Sequence, residues 1–257
     1  MNILVCMKAV PSTGQAQVDG QFKLRREGAK LEWNIADHAA LEAALQIRSS
    51  NDSVTVITMG PAKLEENMRE LLARDADEAV LVSDPSFAGS DTYASANILH
   101  AAIKALGSFD LILCGRRAID GETGQVPPML ASCLNIPAIT NVNSISRNGN
   151  MLSVVRQLET GIQRLSTSLP ALFSVSEYSY SLRLPGIMGM RKAKSKAVKI
   201  LDLTKISVEP DACGLQGSLT KVIAMDTKFP GLRKGPKETS LEHGISSVVS
   251  LIREVSR

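Results

Sequence analysis

Leu111-Ile-Leu-Cys-Gly115-Arg-Arg-Ala-Ile-Asp120-Gly-Glu-Thr-Gly-Gln125-Val-Pro-Pro-Met-Leu130 is the stretch on which the reading of this chain turns. Leu111 to Cys114 is a short, wholly apolar run, as expected of a strand covered on both faces. A glycine-bearing loop follows, then a helix predicted to start near Gly124, with Thr123 as its cap and Pro127 and Pro128 in its first turn. The first N–H groups of a helix have no partner within it, so they and the helix dipole form a natural site for a phosphate. Gly115, Gly121 and Gly124 would let the backbone approach such a ligand closely, and Arg116 or Arg117 would neutralise its charge. The same residues read equally as an ordinary strand-to-helix loop with a solvated arginine pair.

The chain before this stretch repeats its logic. Ile3 to Met7, Val54 to Met59 and Ala79 to Val82 are further short apolar runs. Between the runs, residues 37–48, 62–73 and 91–106 place apolar side chains at helical spacing, for example Leu64, Met68, Leu71 and Leu72. Alternating β and α elements of this kind predict an α/β fold, a doubly wound and mainly parallel sheet, with ligands at the carboxyl ends of the strands. After Asn135 the pattern changes. Segments 137–145, 151–158, 162–168 and 171–176 are short, and Asn148-Gly149-Asn150 and Glu159-Thr160-Gly161 punctuate them like hairpin turns. These read as antiparallel strands added to the same sheet. The expected organisation is a nucleotide-binding domain over residues 1–182, and over 183–257 a docking loop, a basic segment and an extended C-terminal arm. Leu241 to Val255 repeats Ile245, Val248, Val249, Ile252 and Val255 on one helical face, a stripe that should lie against a partner subunit.

Composition excludes several classes. With 257 residues, 44% hydrophobic and 21% charged, the chain is long and apolar enough for a large core, so disorder and a disulfide-stapled scaffold are out. A formal charge of +3 is too small to make nucleic acid the default partner. No apolar run reaches the ~20 residues of a bilayer helix, and the first residues lack a leader pattern, so a cytoplasmic location is expected. Cys6, Cys114, Cys133 and Cys213 form no C-x-x-C pair, and with only His38, His100 and His243 to help, a metal site is not expected. Nor is there a G-x-S-x-G, H-E-x-x-H or Walker loop, so no catalytic side chain is expected and any chemistry is borrowed from a cofactor.

Weaker signals converge on the same edge of the predicted sheet. Asn34-Ile-Ala-Asp37 precedes a helix, and either Asn34 or Asp37 would cap it. Met59-Gly60-Pro61 closes a strand, where Gly60 would permit close approach to a ring or simply turn the chain. Ser90, Asp91 or Thr92 would cap the third helix or touch a ligand. Residues 183–199 carry Arg183, Arg191, Lys192, Lys194, Lys196 and Lys199 without an acidic residue. Nucleic-acid binding would want interleaved aromatics, which are absent from residues 181–228. Apolar Leu184, Ile187, Met188 and Met190 beside cations fit docking to an acidic protein surface, with a solvated charge run as the alternative.

At Ala118-Ile-Asp120 with Gln125, at Val154-x-Arg156-x-x-Glu159-x-Gly161 leading to Leu169-Pro-Ala171, and at Leu184-Pro185 before the basic run, the sequence resembles the beta subunit of electron transfer flavoproteins. The likeness covers almost the whole chain. It implies an adenine-nucleotide-binding, Rossmann-like fold paired with an alpha subunit that holds the main FAD. It further implies a pocket formed by Cys6, Asn34, Ile35, Ala36, Asp37, Met59, Gly115, Arg116, Arg117, Ala118, Ile119, Asp120, Gly121, Glu122, Thr123, Gly124, Gln125 and Val126. In ordinary members that pocket holds AMP; in electron-bifurcating members it holds a second FAD that takes electrons from NADH and passes one to a ferredoxin or flavodoxin. Leu184 matches the leucine that docks an acyl-CoA dehydrogenase-type flavoenzyme. Thr13 stands where some AMP-binding members place a tyrosine near the flavin, and Gly124-Gln-Val-Pro127 where they carry Asn-Gln-Thr-Gly. With Gly89-Ser-Asp-Thr92 and Gly121-Glu-Thr-Gly-Gln125, this points to the bifurcating, anaerobe-type branch. An adenine-nucleotide-binding regulatory module without a redox role is the alternative of a different class.

Overall fold

The computed structural model describes residues 1–12, 17–18, 24–25, 30–149, 151–223 and 240–255. They fall into two units, Met1–Ile223 and Ala224–Arg257. In the first, the chain runs through β1 (Asn2–Cys6), β2 (Ala9–Pro11), β3 (Gln17–Val18), β4 (Leu24–Arg25), β5 (Leu31–Trp33), α1 (Ile35–Ile47), β6 (Ser53–Met59), α2 (Glu65–Ala73), β7 (Glu78–Val82) and α3 (Thr92–Leu106). It continues through β8 (Leu111–Gly115), α4 (Val126–Leu134), β9 (Ala138–Asn148), β10 (Met151–Leu158), β11 (Gly161–Ser168), β12 (Ala171–Val175), α5 (Ile187–Ser195), β13 (Val198–Leu201) and the short α6 (Gly214–Gly217). The second unit contributes α7 (Leu241–Val255).

One nine-stranded sheet carries the unit, in the order β11-β10-β9-β12-β8-β1-β6-β7-β13. The α/β, mainly parallel architecture expected from the alternating pattern is present. The apolar runs became β1, β6, β7 and β8 because each is buried on both faces; Ile3, Leu4 and Val5, for example, have no exposed surface. Val5 packs with α1 and α2, and Leu4 packs on the opposite face with α3 and α4, so the sheet is wound on both sides. The chain leaves β1 towards β6 on one side, and β8 lies on the other. The carboxyl ends of β1 and β8 therefore flank the crevice where such sheets bind ligands.

Three expectations need correction. β12 is not antiparallel: it runs parallel to β8 on one side and to β9 on the other, and within this nine-stranded sheet the antiparallel pairs among the described residues are β9-β10 and β10-β11. All five β12 residues are buried, as befits a strand deep in a sheet. Thr123 does not cap α4; Gln125 holds the N-cap position without a side-chain capping bond, and Val126 is the first helical residue. Beyond residue 183, where a docking loop and a basic segment are expected, the chain also forms α5, and β13 pairs in parallel with β7 at the sheet edge.

Candidate functional site

The site is assembled where α1, the loop after β1 and the loop after β8 meet. Asn34 occupies the N-cap position of α1 but makes no side-chain capping bond. Its amide reaches across instead, donating from Nδ2 to the Arg117 carbonyl at 2.9 Å and accepting the Ile119 N–H on Oδ1 at 3.2 Å. Asp37, three residues later and 6% exposed, does not cap either. Its Oδ2 accepts the Lys8 N–H at 2.7 Å and its Oδ1 accepts the Gly115 N–H at 3.0 Å. One carboxyl group thus ties the end of β1 to the end of β8. Burial pushes its pKa up to about 7 against the pull of those N–H donors, Asn34 and the Lys8 charge.

This tie explains Gly115 differently from the sequence reading. A Cβ there would lie 2.1 Å from Asp37 Oδ1 and 2.7 Å from main-chain atoms of Ala36 and Asp37. The glycine makes room for α1, not for a ligand. Gly121 has open space around it, and Gly124 adopts the left-handed φ of 63° that glycine favours.

The loop from Arg116 to Gln125 leads into α4. Glu122 N–H is spent on the Ala118 carbonyl, whereas the N–H groups of Thr123, Gly124, Gln125 and Val126 have no partner among the described residues. Left-handed Gly124 followed by right-handed Gln125 is the backbone alternation that turns successive N–H groups into an anion-binding concavity. Pro127 and Pro128 bear no N–H, so the donors lie in the loop and at Val126, upstream of where a helix-first-turn reading puts them.

Charge around the loop is largely internal. Lys8 Nζ lies 2.7 Å from Asp120 Oδ1. Arg116 and Arg117 converge on Glu177, just beyond β12, at 2.8 and 3.1 Å, and Arg117 also approaches Glu122 at 3.5 Å. Burial works to raise the Glu177 pKa, but hydrogen bonds from Arg116, its own backbone and Arg117 outweigh it and hold the carboxyl below its ordinary value. Arg116 and Arg117 are therefore not a bare cationic pair. Glu177 was invisible in the sequence because the contact spans 60 residues or more and has no local spacing. A polar cleft of about 370 Å³ opens beside them, lined by Arg116, Arg117, Glu122, Thr123, Gly124, Pro128, Thr140, Asn141 and Ser174. Thr140, Asn141 and Ser174 were also missed; Asn141 adopts a left-handed φ of 59° within β9, which no local sequence pattern announces.

The remaining predicted residues lie on the same edge. Ile35 and Ala36 form the first turn of α1, Ala118 and Gly121 lie in the β8–α4 loop, and Met59 ends β6. Cys6 ends β1 and is paired in register with Cys114, whose thiol is pushed up by its hydrogen bond with Cys6, by burial and by the Asp37 charge. Asp91 caps α3 by accepting the Ala94 N–H at 2.9 Å, and its other oxygen accepts the N–H and hydroxyl of Thr220 at 2.8 and 2.9 Å. Both oxygens being taken, it acts as a cap. Thr92 Oγ1 reaches Gln125 Oε1 at 3.0 Å and joins the α3 and α4 loops. Gly60 is a turn whose missing Cβ accommodates Leu64. Leu184 stands apart, 84% exposed. Thr13 lies outside the described residues. Among those residues no helix is long and apolar enough to cross a membrane, and no group of three or more His, Cys, Asp or Glu side chains is arranged to hold a metal.

A doubly wound sheet with main-chain donors gathered at its switch point defines an α/β protein suited to a phosphate-bearing ligand. The model described as "Electron transfer flavoprotein domain" matches residues 21–205. The chain is 43% identical over 230 residues, 88% of each chain, to the electron transfer flavoprotein subunit beta of Thermoanaerobacterium thermosaccharolyticum. It is 38% identical to the caffeyl-CoA reductase-Etf complex subunit CarD of Acetobacterium woodii, over 99% of this chain and 98% of the relative. To the acryloyl-CoA reductase electron transfer subunit gamma of Anaerotignum propionicum it is 37% identical over 86% of each. The chain belongs to the electron transfer flavoprotein family, as a beta subunit.

Proposed function

We propose that this chain is the nucleotide-holding half of a heterodimeric electron carrier. Its alpha subunit holds the main FAD, and the crevice between β1 and β8 holds a second FAD, in a bifurcating complex fed by NADH. The supporting observation is the run of four unpartnered N–H groups, Thr123 to Val126, at the switch point of the sheet. The residues present fit an adenine dinucleotide: those N–H groups would take phosphate oxygens, with Lys8, Arg116 and Arg117 providing positive potential that Asp120, Glu122 and Glu177 moderate. Asn34 and Asp37 would hold the two loops in register without touching the phosphates. When bound, a flavin supplies the electron chemistry; the protein supplies position and electrostatics. Two relatives named for CoA-ester reductases support an acyl-CoA dehydrogenase-type flavoenzyme as the redox partner, docking at Leu184, and a cytoplasmic setting fits that partnership.

Acid denaturation of the purified heterodimer tests the assignment. Two FAD released per pair is the expected result. One FAD and one AMP would overturn it in favour of the AMP-holding form.

A further inference from the structure

Residues 184–188 present apolar side chains to water: Leu184 is 84%, Ile187 71% and Met188 63% exposed. Such a loop would ordinarily sample many conformations and lose them on binding. This one is fastened on both sides. Immediately before it, Arg183 is bound through every polar group it has. Its N–H and Nε donate to Glu42 Oε2 at 3.1 and 3.0 Å, Nη2 donates to Glu42 Oε1 at 3.1 Å, and Nη1 donates to Asp75 Oδ2 at 3.2 Å. Its carbonyl accepts from Arg74 Nη1. Glu42, on α1, is 4% exposed. Burial works to raise its pKa, but the hydrogen bonds from Arg183 and Gln46 outweigh that and keep it ionised below its ordinary value.

Immediately after the loop, α5 abuts the end of α2 at Gly189, where a Cβ would come 2.3 Å from the Ala73 carbonyl oxygen. The far end of α5 is held too. Lys196 Nζ donates to the carbonyls of Ala76 and Asp77 at 3.1 and 2.8 Å, and Arg69 Nη1 donates to the Lys196 carbonyl at 3.0 Å. The turn that follows α2 thus serves as the platform, its Ala76 and Asp77 carbonyls taking the Lys196 ammonium.

We propose that Glu42 and the turn Ala73–Asp77 are positioning residues that, through Arg183 and Gly189, hold Leu184, Ile187 and Met188 ready for insertion into an apolar pocket rimmed by carboxylates on the redox partner. The acidic rim follows from Arg191, Lys192 and Lys194, exposed on α5 in a segment without acidic residues. The inference deepens the docking reading and rests on it.

The test uses the native heterodimer and a purified butyryl-CoA dehydrogenase, charged with butyryl-CoA, that turns over with the wild type. Arg183→Ala is expected to raise KM for the dimer about tenfold with kcat within about twofold and flavin content unchanged, and to speed amide exchange across 184–188 about tenfold. Arg183→Lys keeps the charge but cannot span both Glu42 oxygens, so it restores less than half of the lost KM on a logarithmic scale. Asp75→Asn, which weakens one outer bond, raises KM about twofold and covers the case in which Arg183→Ala fails to fold. Wild-type KM and exchange in Arg183→Ala, or unchanged KM in Asp75→Asn if the alanine variant does not fold, overturn the clamp while Leu184→Ala still raises KM. Unchanged KM in Leu184→Ala removes the docking reading itself, and the clamp with it.

Discussion

Replacing Asp37 by asparagine should change how stability depends on pH. In the unfolded chain Asp37 loses its proton near 3.8, whereas in the fold burial delays that loss to about 7. Between those values the folded state binds the extra proton, so stability falls as pH rises and the loss is complete above about 7. A difference of about 3 pKa units corresponds to about 4 kcal/mol at 1.36 kcal/mol per unit. Asparagine does not titrate, so Asp37→Asn removes this pH dependence. It also presents one NH₂ where two main-chain donors, Lys8 and Gly115, need acceptors, at a cost of about 1–3 kcal/mol. The variant should therefore be less stable than wild type near pH 4.5 and overtake it by about 1–3 kcal/mol at pH 8. Urea titrations of both purified complexes at matched concentration across this range measure the difference, in which the other titrating groups cancel. Parallel curves for the two proteins would refute the assignment of a buried, late-titrating carboxyl to Asp37.

Gly115→Ala should cost about 3 kcal/mol or more, because the added methyl collides with Asp37 and the start of α1, and on the proposed function it should lower the nucleotide retained; thermal melts and nucleotide counting after denaturation check both. Asp91→Ala loses a helix cap and the Thr220 link and should lower stability by about 1–2 kcal/mol, read by chemical denaturation, with faster exchange of the Thr220 amide. The carboxylate of Glu177, held below its ordinary value by the arginines despite burial, contributes stability present above 4.5 and lost as pH falls through the lower folded value. Glu177→Gln should flatten the acid limb of the unfolding curve below pH 4.5, and an unchanged limb would deny that contribution.

The parts of this fold that were legible are those whose pattern is local. β1, β6, β7 and β8 announced themselves as apolar runs and α1 to α3 by helical spacing, because each buries its own periodic face. Strand direction is not local. β12 was read as antiparallel from its short length and neighbouring hairpin turns, although its near-continuous burial, Ala171 to Val175, is the mark of an interior parallel strand. α5 and β13 were masked by lysines whose stems and charges are used on distant carbonyls, as with Lys196 on Ala76 and Asp77. At the site, sequence reasoning assigned Asn34 or Asp37 to a helix cap, whereas both side chains tie loops together. Their use as ties between loops depends on partners 78 to 85 residues away.

The position of β13 has a consequence for how partner choice is changed. After the exposed tip at Leu184, the chain passes along α2 and re-enters the sheet beside β7. The tip is thus the crest of a belt buckled into the sheet at both ends. Deleting the whole belt would strip an outer strand and uncover the flank of β7. Altering only the few side chains at the crest leaves the buckle closed, so, on the docking proposed at Leu184, partner choice is reached by point substitution without disturbing the sheet.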